Sequence, residues 1–330
     1  MTTTKKWNYV FGPVPSRRLG LSIGVDVIPK KVCTLDCVYC EVGATDKRAL
    51  RRREYFPADS IISEIEDALK GRTGLEYITF SGSGEPTLNS KLGEIIRAVR
   101  QLSSIPIAVI TNGTLFSLEE VRYDLTDAAV VLPSLDAASQ DVFERIDRPH
   151  PQLRIESIIE GMECFREEYK GLIWLEIMLV KGFNDDQKEL LRLQKAMERI
   201  RPDKVQLNTV IRPPSELGVE RIAPSRLKEI QALFGERCEI IGLFDKHGSG
   251  ESGKSNIAEI LSLLERRAMT IEGLADSQKV DEETIVESLR ALKEAGLIVS
   301  FLHHKEEYYR AKDSQEPEEV RLHSGSQPAK

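Results

Sequence analysis

The chain has 330 residues, 41% of them hydrophobic, enough for one barrel-sized domain of roughly 200 to 250 residues and a smaller second one. Lys and Arg number 46 against 53 Asp and Glu, so a net charge of −7 offers no global positive field to nucleic acid or an anionic membrane, and any RNA or DNA contact has to be local. The opening MTTTKKWNYVFG has no secretory apolar run, no apolar stretch is long enough for a membrane span, and three of the five cysteines crowd into one short segment; a soluble, cytoplasmic protein with a metal site is expected in place of a disulfide framework.

From about residue 22 to 244, short β-branched runs alternate with stretches of helical period, the pattern of successive βα units on a parallel sheet. The strands are SIGVDVI from Ser22, EYITFSG from Glu76, IAVITNG from Ile107, AAVVLPSL from Ala128, IWLEIMLV from Ile173 and KVQLNTV from Lys204. Between the first two, SIISEIEDALKG puts Ile61, Ile65, Ala68 and Leu69 on one helical face, with Gly71 as its stop. Six βα units therefore precede residue 236, and CEIIGLF (Cys238 to Phe244) adds a strand that closes or flanks the sheet. The expected architecture is an α/β partial (βα)6 barrel of the TIM type over residues 1–244. A Gly/Ser-rich linker follows at 245–255. Residues 256–311 read as three helices and a two-stranded hairpin, the order of a winged helix. The tail, 312–330, carries Pro, Ser, Gly and charge with little to bury, and is expected to be disordered.

Cys33-Thr34-Leu35-Asp36-Cys37-Val38-Tyr39-Cys40 sits in the loop after the first strand, where three thiolates can converge on one metal centre. A closed structural zinc site needs a fourth ligand, and the first histidine in the chain is His150. Three thiolates on a [4Fe-4S] cubane leave one iron open to a cofactor or substrate. A zinc knuckle and three unrelated core cysteines are the alternatives. Cys164 and Cys238 have no cysteine near them and read as small core residues.

The Cys-x3-Cys-x2-Cys spacing, with Tyr39 before the last cysteine, resembles the radical S-adenosylmethionine (SAM) superfamily. That resemblance implies a [4Fe-4S] cluster on Cys33, Cys37 and Cys40. It also implies that SAM is chelated to the free iron and cleaved by a low-potential electron donor to a 5'-deoxyadenosyl radical that abstracts hydrogen from a substrate. Ser81-Gly82-Ser83-Gly84-Glu85-Pro86 resembles the superfamily's Gly-Gly-Glu-Pro segment, with Ser83 in place of a glycine, and implies that Gly84 and Glu85 receive the SAM ammonium group. Thr111-Asn112-Gly113 and Ser134-Leu135-Asp136 resemble the segments lining SAM's carboxylate and ribose; taken alone, each is an ordinary strand-end turn. Glu176 on the fifth strand is a further cofactor-binding candidate and Asn208 on the sixth a weaker one, and the loop Lys181-Gly182-Phe183-Asn184-Asp185 resembles the Pro-Gly-x-Asn-Asp loop of several members. No catalytic acid or base is singled out. Phe11-Gly12-Pro13-Val14-Pro15-Ser16-Arg17-Arg18-Leu19-Gly20 and Arg51-Arg52-Arg53-Glu54-Tyr55 resemble a subgroup of uncharacterised proteins grouped loosely with 4-demethylwyosine synthase. The wyosine synthases act on guanosine in tRNA and typically carry upstream cysteines for a second cluster; none precedes Cys33 here.

Two other signals compete. Gly248 to Ser255 satisfies the phosphate-loop pattern G-x4-G-K-[ST], which supports a nucleotide switch, yet too few residues follow for a nucleotide-hydrolysing sheet; a hinge is the plainer reading. The third helix of the winged helix carries Asp281, Glu282, Glu283, Glu287 and Glu294 against Arg290 and Lys293, a surface that repels phosphate and favours a protein contact over DNA. A metal-bearing regulator that binds DNA is the remaining alternative. Lys47, Arg48, Arg51, Arg52 and Arg53 form a basic set near the cysteines that suits an anionic substrate such as RNA or, equally, a solvated loop; protein is the other substrate class considered.

Overall fold

Val10–Ser16 (β1) turns back antiparallel on Gly20–Val25 (β2), so that β1 adds a strand ahead of the first expected βα unit, which begins with β2. The computed structural model describes residues 7–312 except 17, 46, 242–255, 279, 304 and 305, and divides into a unit of Trp7–Lys246 and a C-terminal unit described over 256–312. The 245–255 linker, with the phosphate-loop pattern inside it, and the tail past Lys312 lie outside the described residues.

After β2, two short strands, Val32–Cys33 (β3) and Lys47–Arg48 (β4), pair in parallel and bracket the cysteine loop. Six helices and their strands then follow in order: Ala58–Leu69 (α1), Tyr77–Phe80 (β5), Leu92–Leu102 (α2), Ile107–Thr111 (β6), Glu119–Asp124 (α3), Val130–Pro133 (β7), Gln140–Ile146 (α4), Ile155–Glu168 (α5), Leu172–Leu179 (β8), Gln187–Ile200 (α6) and Lys204–Thr209 (β9). Pro224–Phe234 (α7) and Cys238–Ile240 (β10) complete the unit. The sheet order is β1-β2-β5-β6-β7-β8-β9-β10, parallel from β2 onward, with β1 and β10 as its edges. This is a partial (βα)6 barrel in which β10 flanks rather than closes.

Strand alternation separates two cores. Ile78, Phe80, Val109, Val131, Leu175, Ile177, Val205 and Leu207 pack against helix residues such as Ile61, Ile65 and Ile95, each fully buried and contributing about 1.5–3 kcal/mol. Tyr77, Ala108, Val130, Leu132 and Trp174 point the other way and pack with Leu19, from the β1–β2 turn, as an apolar floor inside the barrel. The strands' C-terminal ends above this floor carry the site. Cys238 is buried in β10 as expected, whereas Cys164 on α5 is exposed, because its helical position falls outside the Ile158, Met162 and Phe165 stripe.

The C-terminal unit has Ile257–Arg266 (α8), Ile271–Gln278 (α9), Glu282–Glu294 (α10) and an antiparallel hairpin of Ile298–His303 (β11) and Glu306–Ala311 (β12). Asn256 and Asp281 cap α8 and α10 through their side chains, and Ile260, Leu263, Leu274, Ile285, Leu289 and Tyr308 fill its core. This is a winged-helix order. No described helix is long and apolar enough to cross a membrane.

Candidate functional site

The cysteine loop is clamped on every side by backbone hydrogen bonds. The Ala49 N–H donates to the Cys33 carbonyl (2.8 Å), the Asp36 and Val38 N–H groups to the carbonyls of Asp147 and Ile146 (3.0 Å each), and the His150 N–H to the Thr34 carbonyl (2.9 Å). From the segment after β9, the Ser215 hydroxyl donates to the Cys37 and Val38 carbonyls (3.0 Å each). Such bonds contribute about 0.5–1.5 kcal/mol apiece, and together they hold a loop with little secondary structure in one shape.

The segment after β5 docks on the same loop. The Lys31 N–H donates to the Ser83 carbonyl (2.8 Å) and the Glu85 N–H to the Val32 carbonyl (3.1 Å). A side chain at Gly84 would put its Cβ 2.0 Å from the Val32 carbonyl oxygen, so this approach requires glycine. Ser83, the departure from a glycine pair, donates its hydroxyl to Asp26 Oδ2 (2.6 Å), and Asp26 also accepts the Ser83 N–H (3.3 Å).

Glu85 is wholly buried and accepts four hydrogen bonds: Thr87 N–H (3.0 Å), Thr87 hydroxyl (2.6 Å), Thr111 hydroxyl (2.6 Å) and Asn112 N–H (2.7 Å). Burial pushes its pKa up, and these donors pull it back. Asn112 then reaches the cysteines: its amide donates to Thr34 Oγ1 (2.8 Å) and to Cys33 Sγ (3.5 Å). On the other side, Tyr39 donates to Asp136, whose second oxygen accepts the Met178 N–H (2.7 Å), and the Cys37 thiol donates to Asp147 (3.2 Å). Asn184, also buried, braces Asp136 by donating to its carbonyl (2.8 Å). Glu176 bridges Ser134 and accepts the Leu135 N–H on its carbonyl (2.9 Å), while its carboxylate is taken by Arg18 and by the Asn208 amide (3.0 Å).

The structure thus draws Cys33, Cys37, Tyr39, Gly84, Glu85, Thr111, Asn112, Ser134, Asp136 and Glu176 into one neighbourhood, and Cys40 joins it through its N–H, which donates to the Cys37 carbonyl (3.1 Å). Sequence reasoning missed Asp147, Asp26 and Arg18. Their contacts span 110, 57 and 158 residues; Arg18 stands in the Phe11 to Gly20 segment that carries a resemblance, but nothing local marks it, Asp147 or Asp26 as a partner of the site. The basic set near the cysteines divides. Arg52 is sequestered by Asp124 and by the Thr87 carbonyl (2.8 Å), and Arg48 donates to the carbonyls of Arg148 and Pro149; Arg51 and Arg53 stay exposed.

The donor set fits a cluster. Burial pushes Cys33 up to about 12 and raises Cys37 and Cys40, so the metal-free thiols hold their protons until a cation takes their place. Among the described residues, no three His, Cys, Asp or Glu stand as the ligands of a single ion; a cubane spreads its thiolates over different irons.

The description "Radical SAM superfamily" matches residues 27–193, and "Bacterial regulatory protein, arsR family" matches residues 257–300. A protein of Brachyspira hyodysenteriae named GTPase Obg is 36% identical over 89% of this chain, which spans 44% of that protein's length. A UPF0026 protein of Methanocaldococcus jannaschii is 33% identical over 83% of this chain and 88% of its own length. Among solved structures, a radical SAM methyltransferase from Sphaerobacter thermophilus is similar with a TM-score of 0.49 and 18% identity, covering 66% of this chain and 65% of that one.

Proposed function

Because the chain belongs to the radical SAM superfamily and to the UPF0026 proteins, we propose that it is an enzyme binding one [4Fe-4S] cluster through Cys33, Cys37 and Cys40, with SAM beside it. Cluster and cofactor, when bound and reduced by a low-potential donor, supply a 5'-deoxyadenosyl radical that abstracts hydrogen from a substrate. The observation that carries the reading is the tie between the cysteine loop and the ends of successive parallel strands, through Asn112 after β6 to Cys33 and through Tyr39 to Asp136 after β7, with Asp147 at the end of α4 meeting Cys37.

The chain's own residues bind, orient and neutralise. Gly84 lets the edge before Glu85 lie against the cysteine loop. The carboxylates of Glu85 and Asp136 complement the ammonium and sulfonium charge of SAM, while Thr111, Asn112 and Ser134 offer hydroxyl and amide groups to its carboxylate and ribose. Tyr39 positions Asp136. Glu176 contributes through its backbone by fixing the Ser134–Leu135 segment.

Anaerobic reconstitution with iron and sulfide should give about four irons per chain. Replacing Cys33, Cys37 or Cys40 by Ala should remove the cluster; full iron and sulfide in any of these variants would remove the basis of the assignment. The reduced protein should release 5'-deoxyadenosine from SAM, and testing RNA and protein fractions for stimulation identifies the substrate class. A regulator reading draws on the arsR-family match; it requires duplex binding and no SAM cleavage despite a full cluster.

A further inference from the structure

Inside the barrel, above the floor of Leu19, Tyr77, Ala108, Val130, Leu132 and Trp174, the next inward position of β8 is Glu176. Its carboxylate is met by Arg18, which rises from the β1–β2 turn at the strands' N-terminal end. Hydrogen bonds fix the described residues around Arg18. The Ser16 hydroxyl accepts the Arg18 and Leu19 N–H groups (3.3 and 3.2 Å), the Glu76 carboxylate accepts the Leu21 N–H (2.9 Å), and Leu19 is buried in the floor. Asn208 holds the other oxygen of Glu176 (3.0 Å), so the carboxylate cannot turn away.

Asp136 and Asp147 meet at the Tyr39 hydroxyl, and Glu176 bridges to Ser134 two residues before Asp136, an acidic surrounding suited to a cationic cofactor but not to an anion. Arg18 brings a guanidinium to this surrounding through Glu176. One nitrogen, Nη1, serves Glu176, and the side chain keeps 20% exposure, leaving the rest of a five-donor fork for a second acceptor. A buried ion pair adds little stability over apolar packing, so an arginine threaded up from the floor calls for another role.

We propose that Arg18 is a specificity-determining residue that anchors an oxyanion of the substrate, a carboxylate or a phosphate, inside the barrel, with Glu176 and Asn208 orienting its guanidinium. The proposal rests on the radical SAM reading and names the substrate class of that same site.

The test uses the full-length, cluster-loaded protein saturated with SAM, titrated calorimetrically with succinate and, separately, inorganic phosphate. Wild type should bind one of them in the millimolar range, which tells carboxylate from phosphate. Arg18→Gln should weaken that binding at least tenfold, and Arg18→Lys less. Glu176→Gln, which keeps an acceptor for Nη1 but removes the competing negative charge, should strengthen it severalfold; a merely structural ion pair would give no such gain, and its absence would overturn the proposal. So would binding of neither probe, or equal binding by Arg18→Gln. SAM affinity and iron content are read on the same samples. Arg18→Gln should bind SAM as wild type does, and a parallel loss would assign Arg18 to the cofactor instead. Failure of wild type to bind SAM at all would strike the underlying reading rather than this one.

Discussion

At Asp147 a single carboxyl group links the cysteine loop to the end of α4, and burial pushes its pKa up to about 7. An unfolded aspartate titrates near 3.9, so between about pH 4 and 7 the folded, metal-free chain holds a proton that the unfolded chain has released. The slope of unfolding free energy with pH is then negative: the contribution is present below the unfolded value and is lost as pH rises toward 7. Asp147→Asn should flatten this part of the profile. Urea unfolding of metal-free wild type and variant at pH 5 and pH 7.5 checks it, and an unchanged pH difference in the variant would remove Asp147 as its source. Burial raises Glu85 as well, and there four donors surround the carboxylate and oppose the rise.

Among the elements, the turn from β5 toward the cysteine loop is held in part by the pair Asp26 and Ser83. Gly82 adopts φ +152, and a Cβ there would come within 2.6 Å of the Asp26 carboxyl carbon, so Asp26 at the end of β2 is packed directly beneath the turn and bonded to Ser83. Ser83→Ala and Asp26→Ala should each weaken SAM binding severalfold. In a double-mutant cycle their effects should couple by about 0.5–3 kcal/mol, with cluster content retained. Equilibrium SAM binding to the reconstituted protein measures this, and strict additivity would show that the pair does not act as a unit. The parallel strands behind this turn are legible in the sequence because each buries both faces and reads as a β-branched run between amphipathic helices. β1 is not legible, since VFGPVPS carries two prolines that an edge strand tolerates but a run of strand formers does not predict. β3 and β4, two residues each, have no period at all. The same logic divides the site: Cys33, Cys37, Cys40 and Glu85 stand in local patterns, Asp26 and Asp147 are recruited by tertiary pairing alone, and Arg18, though inside a recognisable segment, gains its place beside Glu176 only through pairing.

For the whole molecule the net charge of −7 sets what can approach it, and the C-terminal unit sharpens the point. A DNA-binding helix of this order offers its N-terminal residues to base edges and needs cations nearby for phosphates. Here α10 begins at the Asp281 cap, and Glu282, Glu283 and Glu287 are all exposed, with Arg290 and Lys293 only toward the far end. Non-specific duplex binding draws its energy from neutralised phosphates, with a Kd of about 10⁻⁴ to 10⁻⁶ M for competent proteins at physiological salt. The full-length chain should therefore bind a random duplex more weakly than that range, despite its similarity to arsR-family regulators over residues 257–300. Glu283→Lys with Glu287→Lys should tighten binding at least tenfold at low salt and steepen its dependence on salt. Fluorescence anisotropy over a salt series decides the matter. If wild type binds tightly with a steep slope, the acidic face of α10 is not the surface that meets the nucleic acid, and basic groups elsewhere in the chain must supply the contacts.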